Sequence, residues 1–216
     1  MKKILIALAL SACAAVPASA ATTSYSFNCI TNSNAANCGI GHAQFFLDVS
    51  DTANASQVLF EFRNVGAGLS SITDVYFDDG TLLGIAQVFN GPGVSFTPPA
   101  TPGNLPGANN INPAFQTTSG FSADSDAPVS KNGVNPGEKL GILFNLKSGQ
   151  NFTDVMNAMV IAGGTNGLRV GVHAQSIGSG GSESFVNSVS LVPEASQWMM
   201  MLVGISVIAI RAMRVN

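Results

Sequence analysis

Charge is scarce in this chain. Only 10% of its 216 residues are Asp, Glu, Lys or Arg, and Asn, Ser, Thr and Gly fill the polar positions instead, a composition usual for secreted β-proteins. Basic residues are scarcest where a folded domain belongs: between positions 21 and 192 five of them stand against eleven acidic ones, a net of −6. That balance argues against a nucleic-acid partner. Histidine occurs only at His42 and His173, and His173 sits in a strand-like segment where a surface or hydrogen-bonded role outweighs that of a general base. Ser182 and Ser184 lack the Gly-x-Ser-x-Gly setting of a nucleophile elbow, and Gly178 to Gly181 lacks the Lys and the strand-loop-helix setting of a phosphate loop. Glu61, Glu138 and Glu183 are the only glutamates outside the tail, and whether two carboxyls face a glycosidic bond is a property of the fold. No cofactor is called for. Calcium is the one ion that Asp74, Asp78 and Asp79, or Asp124 and Asp126, could attract, but neither group forms a regular Asp-x-Asp-x-Asp-Gly loop, and Asp78 and Asp79 fit turn positions better.

What is present begins with the two ends. Lys2 and Lys3 precede an apolar run from Ile4 to Val16, and Ala18-Ser19-Ala20 is a small-x-small cleavage site, so residues 1–20 read as a signal peptide with cleavage at Ala18 and Ala20. Leu10-Ser11-Ala12-Cys13 also has the form of a lipobox, in which Cys13 is lipidated. Either processing leaves Cys29 and Cys38, an even pair in an oxidising compartment. The segment between them is Asn-rich and poor in apolar residues, which reads as a small loop closed by a structural disulfide. At the other end, Met199 to Ile210 is uncharged. Twelve helical residues reach about 18 Å, short of the ~30 Å hydrocarbon core, unless Trp198 and the pair Arg211 and Arg214 anchor at opposite interfaces.

The domain between, residues 21–192, is long enough for one core. Thr23–Ile30, Ala43–Val49, Gln57–Arg63, Ser71–Gly80, Thr81–Phe89, Lys139–Leu146, Leu168–Gln175 and Ser184–Leu191 read as strands. Asp79-Gly80 predicts a hairpin between the fourth and fifth, and Gly178–Ser182 a hairpin between the last two. Asn151–Ile161 is the one helix expected, capped by Asn151 or Thr153, with Val155, Met156, Met159 and Val160 as its apolar stripe. Six prolines make 97–135 a long irregular loop, taken as an insertion across a sandwich edge or face. The expected fold is therefore all-β: an antiparallel β-sandwich or jelly roll with one short helix, an N-terminal signal peptide and a C-terminal apolar helix.

Val192-Pro193-Glu194, then Trp198, a short apolar segment and terminal Arg211 and Arg214, resembles the PEP-CTERM sorting signal of Gram-negative bacteria that make exopolysaccharide. Ala195 stands where a second Pro is usual, and the tail has two Arg. The resemblance implies recognition of residues 193–216 by an exosortase, an integral-membrane cysteine transpeptidase, with cleavage near Pro193-Glu194. The body is similar to one group of exported PEP-CTERM proteins in Val75–Gly80, Gly133–Glu138 and Gly180–Val186, a likeness that implies no activity. The resulting expectation is a non-enzymatic protein that passes through the inner membrane to the outer envelope or extracellular matrix and acts there with exopolysaccharide. The alternative is a carbohydrate-binding module or glycan-active enzyme that stacks sugars on Tyr25, Tyr76, Phe115 and Phe121.

Overall fold

The structure is a computed structural model and describes residues 21–161 and 167–192. Alternation of apolar and polar residues makes most of it strand. In β1 (Thr22–Cys29), β2 (Phe45–Asp51) and β3 (Gln57–Asn64), every second side chain enters the core: Tyr25 and Phe27, then Phe45, Leu47 and Val49, then Val58, Phe60 and Phe62. Next in sequence come β4 (Ser71–Asp78), β5 (Leu82–Asn90), β6 (Phe96–Thr97), β7 (Ser122–Ser125), β8 (Lys139–Leu146), β9 (Arg169–Gln175) and β10 (Ser182–Val192). All pair antiparallel in one ten-stranded sheet, in the order β5-β8-β3-β2-β1-β10-β9-β4-β7-β6.

The all-β, antiparallel expectation holds, but the ladder runs unbroken where a sandwich has two separate sheets. The sheet bends until its halves face each other. Phe77 of β4 lies 5.2 Å from Phe60 of β3 and 4.6 Å from Phe144 of β8, ring centre to ring centre, in edge-on contacts. At one corner the two ends of the sheet meet: the Asn90 side chain, closing β5, accepts from the Phe96 backbone N–H of β6 at 2.9 Å. The fold is thus a nearly closed antiparallel sheet around one aromatic core.

The expected β4–β5 hairpin is absent. Asp79-Gly80 does turn the chain, and the Asp79 carboxylate accepts from Leu82 N–H at 2.5 Å, but β4 pairs with β7 and β9 while β5 pairs with β8. The turn carries the chain across the core from one half of the sheet to the other. The β9–β10 hairpin is present.

Helices are more numerous than expected. α1 (Ala35–Gln44) begins inside the segment between the cysteines that reads as loop. Its two glycines give it poor helix propensity, so tertiary contacts hold it. Asn34 caps it by accepting from Ala36 N–H at 2.9 Å, and Cys38 in its first turns is disulfide-bonded to Cys29, with 5.4 Å between the two Cα atoms. α2 (Val129–Asn132) is one turn. α3 (Phe152–Ile161) is the expected helix, with Asn151 and Asp154 bonding each other's backbone N–H as a reciprocal cap. Its buried side chains are Val155, Ala158 and Met159, while Val160 is 62% exposed, so the apolar stripe is rotated from the expected one.

The proline-rich segment is not loop throughout, since it contributes β6, β7, α2 and a 3-10 turn at Ala108–Asn110. Residues 98–121 lie as a strap across the outer face of β4, β9 and β10. No charged residue occurs from 80 to 123, so little solvation is lost when the strap is buried. Leu105, Ala108 and Phe115 close over Tyr76, Ile30 and Val186 in a second, smaller core. At the centre of that floor is Gly171: a Cβ there would stand 2.7 Å from Leu105 and 3.2 Å from Phe115, so the strap seats only because the side chain is missing. Arg169 fastens it, donating to Pro113 O at 2.7 Å and Ala114 O at 2.8 Å while pairing with Asp78 at 2.5 Å.

Candidate functional site

Under the edge of the strap, the register sets Asp124 of β7, Asp74 of β4, His173 of β9 and Ser184 of β10 side by side across four strands. This is the nearest approach to catalytic geometry among the described residues. Asp74 accepts from His173 Nδ1 at 2.9 Å and from the Thr73 hydroxyl at 2.7 Å, which fixes the imidazole as an orienting carboxylate does in hydrolases. The row stops there. Among the described residues the fully buried Ser184 hydroxyl has no hydrogen-bond partner, so it is not bonded to His173 as a nucleophile is to its base. Burial, with the Asp74 and Asp126 charges adding, raises the Asp124 carboxyl above its ordinary value, against a bond from Thr101 N–H. Burial, followed by the charges of Asp74 and Asp124, raises the Tyr76 phenol. The chemistry of this row is that of a polar seam beneath the strap, with the hydrogen-bonded strand role expected for His173.

The glutamates are likewise engaged. Glu183, 1% exposed, accepts from the Thr31 hydroxyl, from Ser33 N–H at 3.1 Å and from Asn34 N–H at 2.6 Å, and so anchors the entry to α1. Its carboxylate and the two cysteine sulfurs lie within 4.8 Å of one another, but the sulfurs are spent on each other. Glu138 closes its turn onto Asn135 N–H at 2.9 Å, and Glu61 pairs with Lys139 at 2.9 Å. His42 Nδ1 bonds Phe27 O at 2.9 Å. Asp78 is taken by Arg169, and Asp79 lies 3.4 Å from Lys147.

The proposed stacking aromatics do not form a row. Tyr25, Tyr76 and Phe115 are buried, and Phe121 packs against the core beside Phe144. Burial raises the Tyr25 phenol to about 12. The isolated Phe115 and Phe121 of the proline-rich segment pack back onto the domain, because their hydrophobic area drives the segment down onto the sheet.

Among the described residues no strap covers the opposite outer face, that of β1, β2, β3, β8 and β5. Here a shallow depression of about 350 Å³ is lined by Leu59, Glu61, Phe89, Asn90, Gly91, Lys139 and Gly141. One row of the register reads Ser24, Asp48, Glu61, Gly141 and Phe89, and the next Phe46, Arg63 and Lys139. Gly141 leaves a floor over which the half-exposed Phe89 lies, the Phe89 Cβ being 3.3 Å from where a Gly141 Cβ would be. Beyond it Arg63 holds Asp48 in a two-pronged pair at 2.6 and 2.9 Å and lies 5.7 Å over the Phe46 ring.

No protein-family model, no curated protein and no solved structure matches the chain. The site therefore rests on geometry alone. Sequence reasoning missed this face because Phe89 looked like one arm of a hairpin. The available signal was Gly141 inside an otherwise apolar strand, a mark of close approach. Of the predicted site residues, Cys29 and Cys38 are joined as expected. Val192 ends β10, while Ala18, Ala20, Pro193, Glu194, Trp198, Arg211 and Arg214 lie outside the described residues. Among the described residues no helix is long and apolar enough to cross a membrane.

Proposed function

We propose that this chain is an exported, non-enzymatic protein of the cell surface or extracellular matrix. In this reading residues 1–20 direct export, an exosortase processes the chain near Pro193-Glu194, and the domain 21–192, a nearly closed sandwich of jelly-roll type, acts with exopolysaccharide. The observation that supports it is the position of the two chain ends. β1 and β10 are antiparallel neighbours with Ser24 opposite Val192, so the segments read as signals leave from one pole. A C-terminal segment held in the membrane at that pole leaves α1, at the other end of β1, pointing away from the bilayer, with the outer faces of the sheet to the sides. The engagement of His173, Glu61, Glu138 and Glu183 in structural bonds weighs against the glycan-active enzyme.

The test is deletion of residues 193–216 in a host that carries an exosortase. The expected result is loss of both envelope retention and C-terminal trimming, read by fractionation and intact mass. Unchanged localisation and processing would overturn the sorting reading.

A further inference from the structure

We propose that the outer face that no described segment covers, centred on Phe89, Gly141 and the Glu61–Lys139 pair, binds an uncharged polysaccharide chain. The inference rests on the proposed association with exopolysaccharide and names where and how the contact is made.

The chemistry of the face selects the occupant. Phe89 is 44% exposed and lies over the Gly141 floor beside Leu59, giving an apolar platform for the C–H face of a sugar ring. At its rim the Glu61 carboxylate and the Lys139 ammonium stand 2.9 Å apart. An acceptor and a donor side by side at about the spacing of neighbouring sugar hydroxyls suit a diol, whose two oxygens each donate and accept. From Phe89 the face continues through Glu61 to Asp48, Arg63 and Phe46 on β3 and β2. That is three strand spacings, roughly 14 Å, so the site takes a chain running across the strands rather than a single ring.

Other occupants fit worse. The charges on the face cancel in two pairs, Glu61 with Lys139 and Asp48 with Arg63, so the face offers no net attraction to a polyanion or a basic peptide, and the domain's net charge of −6 repels acidic polysaccharides. An extended peptide adds along an open strand edge. β5 at the margin of the depression is such an edge, but β8, which floors it, is paired on both sides, with β3 and β5, so the Phe89–Glu61–Lys139 platform lies on the sheet face and not along that edge. An acyl chain needs an enclosed apolar slot, and this depression is shallow, at the small end of the ~300–1,000 Å³ range of ligand sites.

The test uses the full-length chain purified in detergent, run in native gels cast with dextran, with soluble β-glucan, or with alginate as the acidic counterpart. The expected result is retardation by a neutral glucan but not by alginate. Phe89→Ala should weaken it about tenfold and Glu61→Gln a few-fold, with unchanged thermal melting. Because Phe89 is half exposed, its removal leaves the fold intact, and Phe46→Ala, at the far end of the face, serves as a second probe. Retardation that survives both Phe89→Ala and Phe46→Ala overturns the proposal. So does absence of retardation by any neutral glucan, or a concentration-dependent dimer that Phe89→Ala abolishes. Binding requires no export, so intact binding with failed sorting defeats only the localisation reading, and intact sorting without binding defeats only this one.

Discussion

On the outer face of β4, β9 and β10 stand Asp74, Tyr76, Asp78, Arg169, Gly171, His173 and Val186, and an uncharged segment of some two dozen residues lies over them. On the outer face of β2, β3 and β8 stand Phe46, Asp48, Leu59, Glu61, Arg63, Lys139 and Gly141, and no described segment lies over them. Each face has a strand glycine at its centre and an arginine paired with an aspartate. Gly171 is filled by Leu105 and Phe115 from the strap, whereas the nearest neighbours of Gly141 are Phe89 from the adjacent strand and a Leu59 methyl. Arg169 is 5% exposed and bonds Asp78 and two strap carbonyls; Arg63, among the described residues, bonds Asp48, with its side chain 31% exposed. The comparison teaches that the same motif on a strand, a glycine next to an ion pair, holds the structure together when a segment covers it and leaves an open depression when no described segment does.

The largest separation between the faces should come from their aromatics. Phe115→Ala empties the space beneath the strap and should cost about 3–5 kcal/mol, read from the urea midpoint, with amide exchange accelerated first in the strap. Phe89→Ala on the open face should cost less than about 0.5 kcal/mol. Equal costs would erase the distinction. Next in size is the disulfide at the pole away from the chain ends. Replacing both Cys29 and Cys38 by Ser should cost about 2–3 kcal/mol and release α1, whose sequence does not hold a helix unaided. A stability loss without loss of helical signal would mean that Glu183 and Asn34 suffice to seat it.

How much of this was legible follows from which forces are local. The strands from β1 to β3 could be read because their period-two pattern is written in consecutive residues, and so could the cap at Asn151. The disulfide was legible because two cysteines and an oxidising destination leave one pairing. The crossing at Asp79-Gly80 was not: a turn residue fixes that the chain reverses, not which strand it then meets, and partner choice is decided by the closing of the sheet around Phe60, Phe77 and Phe144. That the proline-rich segment crosses a face could be read, but where it seats was hidden for a related reason. Its prolines spell irregular backbone correctly, but the place where Phe115 is buried is a gap at Gly171, 56 residues further along the chain. Gly141 marked a close approach on β8, but the open face could be assembled only once β8 was known to lie between β3 and β5.

Charge on the open face should matter less than packing on the covered one. Arg63→Ala removes a partly exposed ion pair and a ring contact, worth about 1 kcal/mol or less together, and the difference from wild type should shrink in 1 M salt because the pair is screened. A salt-independent loss would mean that the Arg63 stem, packed on Phe46, carries the effect instead.

The smallest effect lies at the strap's edge and is readable by its sign. Asp124 accepts from Thr101 N–H, a contact that favours the carboxylate, yet burial raises its carboxyl above the ordinary 3.8, with Asp74 and Asp126 adding to the rise. A carboxyl whose folded value is raised holds its proton more tightly in the folded state than in the unfolded chain. Its ionisation therefore opposes folding, and stability falls as pH rises from about 3.8 through the raised value, then levels. Asp124→Asn keeps an acceptor for Thr101 and removes the charge, so the variant should gain on wild type over that interval and hold a small, constant advantage at neutral pH. Urea midpoints of both proteins between pH 3.5 and 7 measure the difference. If wild type instead gains on the variant as pH rises, the Thr101 contact outweighs burial, and the strap is held at this edge by the charge it covers.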